Sequence, residues 1–226
     1  MRGNNMLGIL FSNTHEDKIR ELTEKRAMGS VPFGGRYRMI DFPLSNMVNS
    51  GINKVGVITK YNYQSLMDHL GSGKAWDLSR KREGLFLLPP FGNVSSMQNS
   101  RVESLASIEN FLKNSKEEFV VLSDCDTVCN IDYTDVLAYH LDKEADVTII
   151  YRYGSIPQGL SHPSVYTVDP EGRVRDMVIS PNMDGACNYG MSMLLIRREL
   201  LMQLVGDCVS RNLYSEELGQ LQILRI

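Results

Sequence analysis

Glycine is missing from one informative place. Between Phe11 and Met28 the sequence has none, although this segment follows Met6–Phe11, a short apolar run that reads as a first strand. A backbone that wraps a phosphate closely needs glycine, so the absence argues against a glycine-rich cradle there. Long hydrophobic runs are also lacking. Met6–Phe11 is too short for a signal-peptide core or a membrane span, so a cytoplasmic location is expected. The four cysteines, at 125, 129, 187 and 208, form no C-x-x-C pair, and no histidine is spaced to complete a zinc site. Free thiols in a reducing compartment are the expectation. Charge is nearly balanced at −3, which gives no general attraction to nucleic acid or to an anionic membrane.

What is present describes an α/β protein. The length of 226 residues suits one large domain. Apolar, β-branched runs at Met6–Phe11, Lys54–Thr59, Phe119–Ser123, Asp146–Tyr151, Val165–Val168 and Ser192–Ile196 predict strands. Helices are predicted at His15–Glu24, Pro43–Ser50, Tyr63–Leu70, Glu103–Lys113, Tyr133–Lys143 and Arg198–Val205. In Glu103–Lys113, for example, Leu105, Ile108 and Leu112 share one face. The alternation argues for βαβ units. Asp169-Pro170-Glu171-Gly172 predicts a tight hairpin turn. Gly84–Ser100 and Ile156–Ser164 are rich in Pro, Gly, Ser and Asn and read as long loops. The basic run Ser79-Arg80-Lys81-Arg82 and the sequon Asn93-Val94-Ser95 read as surface.

Three stretches carry a resemblance. "VPFGGRYRMIDFPLSNMVNSGI" (Val31–Ile52), "EEFVVLSDCDTVCNIDY" and "NYGMSMLLI" resemble the glucose-1-phosphate adenylyltransferase (ADP-glucose pyrophosphorylase) family over about residues 6–205. The departures make the chain most similar to the family's GlgD-type subunit, the divergent bacterial partner of a catalytic subunit. The resemblance implies a Rossmann-like nucleotidyltransferase domain with a mostly parallel mixed sheet flanked by helices. In the family a left-handed β-helix domain follows, and it is absent from this sequence. One truncated nucleotidyltransferase-like domain, residues 1–226, is therefore expected. The implied reaction joins ATP and glucose 1-phosphate into ADP-glucose and pyrophosphate with Mg2+. That chemistry needs positioned phosphates, positive charge and a metal held by carboxylates.

The frame motifs persist while the charge-handling motifs change. Where the family has a "GG-x-G-T-R-L" phosphate loop, this sequence has Asn13-Thr14-His15-Glu16-Asp17-Lys18-Ile19. Lys18 stands in for the arginine, and Glu16 and Asp17 bring negative charge. A like-charge pair ~5 Å apart repels by about 3 kcal/mol at an effective dielectric of ~20. A solvated first helical turn, with acids favouring the dipole, is the expectation for these residues. The family's "K-R-A-K-P" becomes Lys25-Arg26-Ala27-Met28-Gly29. Lys25 reads equally as an anion-binding residue and as a surface lysine. The family's "E-K-P" becomes Ile179-Ser180-Pro181, where Ser180 can donate one hydrogen bond but supplies no charge. The family's "L-L-P-A-Q" becomes Leu87-Leu88-Pro89-Pro90-Phe91, and "G-T-A-D-A" becomes Val102-Glu103-Ser104-Leu105-Ala106.

Asp126 aligns with the family's catalytic aspartate. Two residues before it on the expected strand, Asp124 would share its face. The pair could bind a hard cation, or could repel and block the site, and Asp126 could equally cap a turn. Gly190 and Ser192 align with the stretch that follows glucose, and Trp76-Asp77 is retained. A family "W-R-D-V-G" motif with a second metal aspartate is not found. The expectation is a regulatory or structural GlgD-type subunit for glycogen synthesis that partners a catalytic subunit, with ATP, glucose 1-phosphate or an anionic effector as possible ligands. A weakly active adenylyltransferase using Lys25, Asp126 and Lys18 is the alternative.

Overall fold

The structure is a computed structural model. It describes residues 5–13, 16–80, 83–89, 100–158, 160, 162–179, 181 and 185–213, without the side chains of Asp17 and Lys18. Expectations at Thr14, His15, Lys18, Lys81, Arg82, Pro90, Phe91, the Asn93 sequon and Ser180 therefore lie outside the described residues or side chains.

An eight-stranded mixed sheet organises the chain. Its first half is parallel and Rossmann-like: β1 (Met6–Phe11) pairs with β4 (Lys54–Ile58) on one side and β6 (Phe119–Asp124) on the other, and β4 pairs with β5 (Gly84–Leu88). The second half hangs on β10 (Ala186–Arg197), which runs antiparallel to β6, to β7 (Val147–Ser155) and, at Tyr189, to β8 (Ser164–Val168). β8 and β9 (Val174–Ile179) form the hairpin expected around Asp169–Gly172, with Gly172 at φ 85°. A separate ribbon joins β2 (Pro32–Phe33) to β3 (Tyr37–Arg38).

Both faces of the parallel half are covered, which explains its near-continuous apolar strands. From β1, Met6 and Leu10 enter one core with Leu44 and Met47 of α2 (Asp41–Asn49), Leu66 and Leu70 of α3 (Gln64–Leu70), and Tyr133 and Leu137 of α6 (Tyr133–Asp142). Leu7, Ile9 and Phe11 enter the other. There they meet Leu105 of α4 (Arg101–Ser107), Leu112 of α5 (Glu109–Lys113) and Leu201 and Leu204 of α7 (Arg198–Ser210). Gly8 lets α2 approach closely, since a Cβ there would lie 2.5 Å from the Met47 sulfur.

Four expectations change. Gly84–Leu88 is a strand and not the start of a loop. Its run LFLL pairs along β4, while the loop signal came from Gly84 and the prolines after it. Gly84 is required at the entrance: φ is 125°, and a Cβ would meet the Leu78 carbonyl at 2.3 Å. The helix expected over Glu103–Lys113 divides at Ile108 (φ −104°, ψ 15°). The helix expected from His15 becomes a 3-10 turn at Glu16–Ile19, followed by the four-residue α1 (Arg20–Thr23). β7 and β10 run longer than predicted, and a bulge between Gly190 and Met193 interrupts the β10 pairing.

Candidate functional site at the carboxyl ends of the parallel strands

In open α/β sheets ligands bind beyond the carboxyl ends of the strands. Here β1 and β6 end side by side, because Phe11 pairs with Asp124 in the parallel register. The chain then leaves β1 through Ser12 and Asn13, and leaves β6 through Cys125 and Asp126.

The described residues that follow β1 are stitched down rather than open. Ser12 N–H donates to the Ile58 carbonyl (3.1 Å), and its hydroxyl donates to the same oxygen (2.8 Å). The Asn13 side-chain oxygen accepts from Lys60 N–H (2.9 Å) and lies 3.0 Å from the Ser12 hydroxyl. Its amide nitrogen donates to the Tyr61 carbonyl (3.1 Å) and to Glu16 Oε1 (2.8 Å). The same Glu16 oxygen accepts the backbone N–H of Met28 at 3.1 Å. Glu16 is thus 8% exposed, not solvated as the sequence suggested. Two donors converging on one oxygen explain why burial of the carboxylate is tolerated.

The end of β6 is closed in a different way. Asp124 is fully buried, and its Oδ2 accepts from Arg101 Nη2. Arg101 is the first residue of α4, whose N-cap Ser100 accepts from Glu103 N–H. Its guanidinium also lies 5.6 Å from the Phe11 ring centroid, a cation–π contact. Asp126 is half-buried and lies beyond β6, so strand alternation does not place it on the face of Asp124. Burial, with the negative charges of Asp126, Asp124 and Glu16, pushes the Cys125 thiol well above its ordinary pKa. Three carboxylates therefore bear on one buried thiol.

Magnesium keeps several waters and takes one or two carboxylates together with phosphate oxygens. Asp124, enclosed and ion-paired to a guanidinium, does not fit that role alongside Asp126. Among the described residues no group of three or more metal-capable side chains converges. The donor set as arranged does not match a two-carboxylate magnesium site.

The other expected site residues are spread out. Lys25 is exposed and Arg26 half-buried in the turn after α1. Gly190 faces the Tyr166 ring, which a Cβ would meet at 3.0 Å. Ser192 occupies the β10 bulge at φ 56°. Burial raises the Tyr166 pKa, while a hydrogen bond from Ser164 and the charge of Arg101 pull it down. Trp76 Nε1 donates to Ser45 Oγ (3.2 Å), and its ring packs edge-on against His69.

The Val31–Ile52 signature is interlocked with the scaffold. The Asp41 carboxylate is buried, accepts Arg38 N–H (3.0 Å) and meets His69 Nε2 at 2.5 Å. Arg38 Nη1 donates to Ser65 Oγ (2.8 Å).

A family profile for nucleotidyl transferases matches residues 9–189. The glycogen biosynthesis protein GlgD of Geobacillus stearothermophilus is 46% identical over 154 residues, covering 67% of this chain and 45% of that protein. GlgD of Bacillus subtilis (strain 168) is 41% identical over 68% of this chain and 45% of its own length. The glucose-1-phosphate adenylyltransferase of Thermotoga maritima is 37% identical over 78% of this chain and 42% of its own length. The chain therefore spans a little under half the length of these relatives. No described helix is long and apolar enough to cross a membrane.

Proposed function

This chain belongs to the nucleotidyl transferase family, and from that premise we propose that it acts in glycogen biosynthesis as a GlgD-type subunit. In this reading it binds and tunes a catalytic glucose-1-phosphate adenylyltransferase in the cytoplasm and does not itself transfer a nucleotidyl group. Residues 1–226 form one nucleotidyltransferase-like domain. The observation that carries the reading is the Arg101–Asp124 ion pair at the carboxyl end of β6. In-line transfer needs cations directed at phosphate oxygens and carboxylates directed at a metal. Here one of each is directed at the other. Each lost electrostatic contact costs on the order of 10²–10³ in rate, and even with non-additivity little turnover is left. Lys25 and Arg26, in the turn beside the closed loop, are assigned to an anionic effector or substrate phosphate.

A second reading, weak adenylyltransferase activity, is favoured by one observation: Asp126, just beyond the end of β6, is only half-buried. One assay separates the two. ADP-glucose formation from ATP and glucose 1-phosphate with Mg2+ is measured for the chain alone, for a catalytic adenylyltransferase subunit alone, and for the two together. The expected result is no turnover by the chain alone, co-elution with the catalytic subunit, and an altered substrate response of the mixture. Turnover by the chain alone that Asp126→Asn abolishes would establish the second reading instead.

A further inference from the structure

We propose that the loop after β1 contains an oxyanion seat, built from the Asn13 amide and the Met28 backbone N–H, that is occupied by the chain's own Glu16. Phosphate-type oxyanions enter only when that carboxylate is withdrawn. The inference rests on the family reading of this loop as the phosphate side of the site.

Both walls of the seat are fixed before any ligand arrives. The Asn13 side chain is oriented by Lys60 N–H, the Ser12 hydroxyl and the Tyr61 carbonyl, which leaves its second amide hydrogen directed at Glu16 Oε1. Met28 opens a short 3-10 turn that is itself tied to the sheet. Gly29 N–H donates to the Ser12 carbonyl (3.0 Å), and Ile40 N–H donates to the Gly29 carbonyl (3.0 Å). The two donors are neutral, rigid and aimed at a single oxygen, the arrangement that selects an oxyanion over a cation.

The occupant is equally telling. A glutamate near a loop surface gains most from water, yet this one is buried on these two donors. Its charge adds to those of Asp124 and Asp126 around Cys125. An incoming phosphate must therefore displace a tethered competitor and face one more negative charge than an emptied seat would present. Tethering gives the competitor a high effective concentration. The loop can thus reject nucleotides while retaining donors able to bind them.

The test uses the chain, Glu16→Ala and Glu16→Gln, titrated calorimetrically without divalent ions against sodium pyrophosphate and, separately, ATP. Site-resolved hydrogen exchange is recorded at the Met28 amide. Glu16→Gln keeps an acceptor of the same length in the seat but loses the charge, and is expected to bind pyrophosphate with a strength between those of the parent chain and Glu16→Ala. Glu16→Ala is expected to bind pyrophosphate and ATP at least about tenfold more tightly than the parent, with Met28 exchange accelerated and then slowed again by pyrophosphate. If Glu16→Ala does not fold, Glu16→Asp, one methylene too short to reach, carries the same expectation. A folded variant with fast Met28 exchange and no pyrophosphate binding overturns the proposal, as does parent-chain binding of equal strength. ATP binding without pyrophosphate binding also overturns it, because the base and not the seat would then be recognised. None of these readouts depends on turnover or on the catalytic partner, so failure here leaves the subunit reading to its own assay.

Discussion

Arg101 stands at the first position of a helix, where the unpaired N–H groups disfavour a cation. That misfit was not read from the sequence, which began the helix at Glu103; it emerges only with Ser100 as the N-cap. It signals that some acidic group must compensate. What the sequence could not supply was the partner, because Asp124 lies 23 positions away and meets Arg101 only through the strand order. Glu16 was legible as negative charge in a loop that resembles a phosphate cradle, but its burial was not, because it depends on Met28 and Asn13 closing around one oxygen. His140 gives a prediction at this scale. It is 1% exposed, its Nδ1 lies 2.8 Å from Thr148 Oγ1, and its Nε2 has no hydrogen-bond partner among the described residues. Burial, then the charge of Arg197, lowers its pKa below the ordinary 6.5, with Asp146 opposing. The unfolded chain therefore takes up this proton first as pH falls. Stability attributable to His140 is full above about pH 6.5 and is lost as pH drops below that value, with a limiting slope of about 1.4 kcal/mol per pH unit for one proton. Urea denaturation of the chain and of His140→Gln at pH 7.5 and 5.5 checks this. The stability difference between the two pH values should shrink in the variant, and an unchanged difference would assign the acid loss to other groups.

At the scale of elements, the strands were legible wherever both faces are buried, because continuous apolar runs such as Met6–Phe11 and Phe119–Asp124 have no other stable use here. β5 escaped notice because Gly84 and Pro89 frame it with turn signals, and only its pairing with β4 shows that LFLL is a strand. The expected end of β7 at Tyr151 fell short because Arg152, Tyr153 and Ser155 are exposed and the segment is held by backbone bonds to β10. The bulge in β10 was missed because the expected strand began at Ser192, which left Gly190, a residue type that often marks bulges, outside it. Ser192 holds φ 56° there, a left-handed conformation that costs a non-glycine residue about 1–2 kcal/mol. Ser192→Gly is expected to raise unfolding stability by up to about 1 kcal/mol, since glycine removes the strain but adds chain entropy in the unfolded state. Chemical denaturation reads the difference. A loss of more than that amount would show that the serine side chain holds the bulge in place.

At the scale of the molecule, the frame signature divides its residues between inside and outside. Arg38 and Asp41 lock α2 to α3, whereas Phe33 and Tyr37 on the β2–β3 ribbon are 45% and 49% exposed around Phe42. One stretch of sequence thus contains both residues that lock the fold and aromatic residues left exposed. Asp41→Asn is expected to lower the melting temperature of the chain by several degrees. The double substitution Phe33→Ser with Tyr37→Ser should leave melting within about a degree and weaken association with the catalytic subunit, as size-exclusion chromatography of the mixture would show. Melting losses in the ribbon variant would instead assign Phe33 and Tyr37 to the fold. The topology also has a consequence for how the chain is made. Among the described strand pairs, every link between the parallel half and β7, β8 and β9 runs through β10. A ribosome that has reached residue 155 has produced β6 and β7 but not the strand that lies between them. Until Ala186–Arg197 emerges, the outer edge of β6 and the inner edge of β7 are open to any neighbouring chain. The vulnerable interval in the life of this protein is therefore its own synthesis, between the completion of one half-sheet and the late arrival of the strand that joins it to the other.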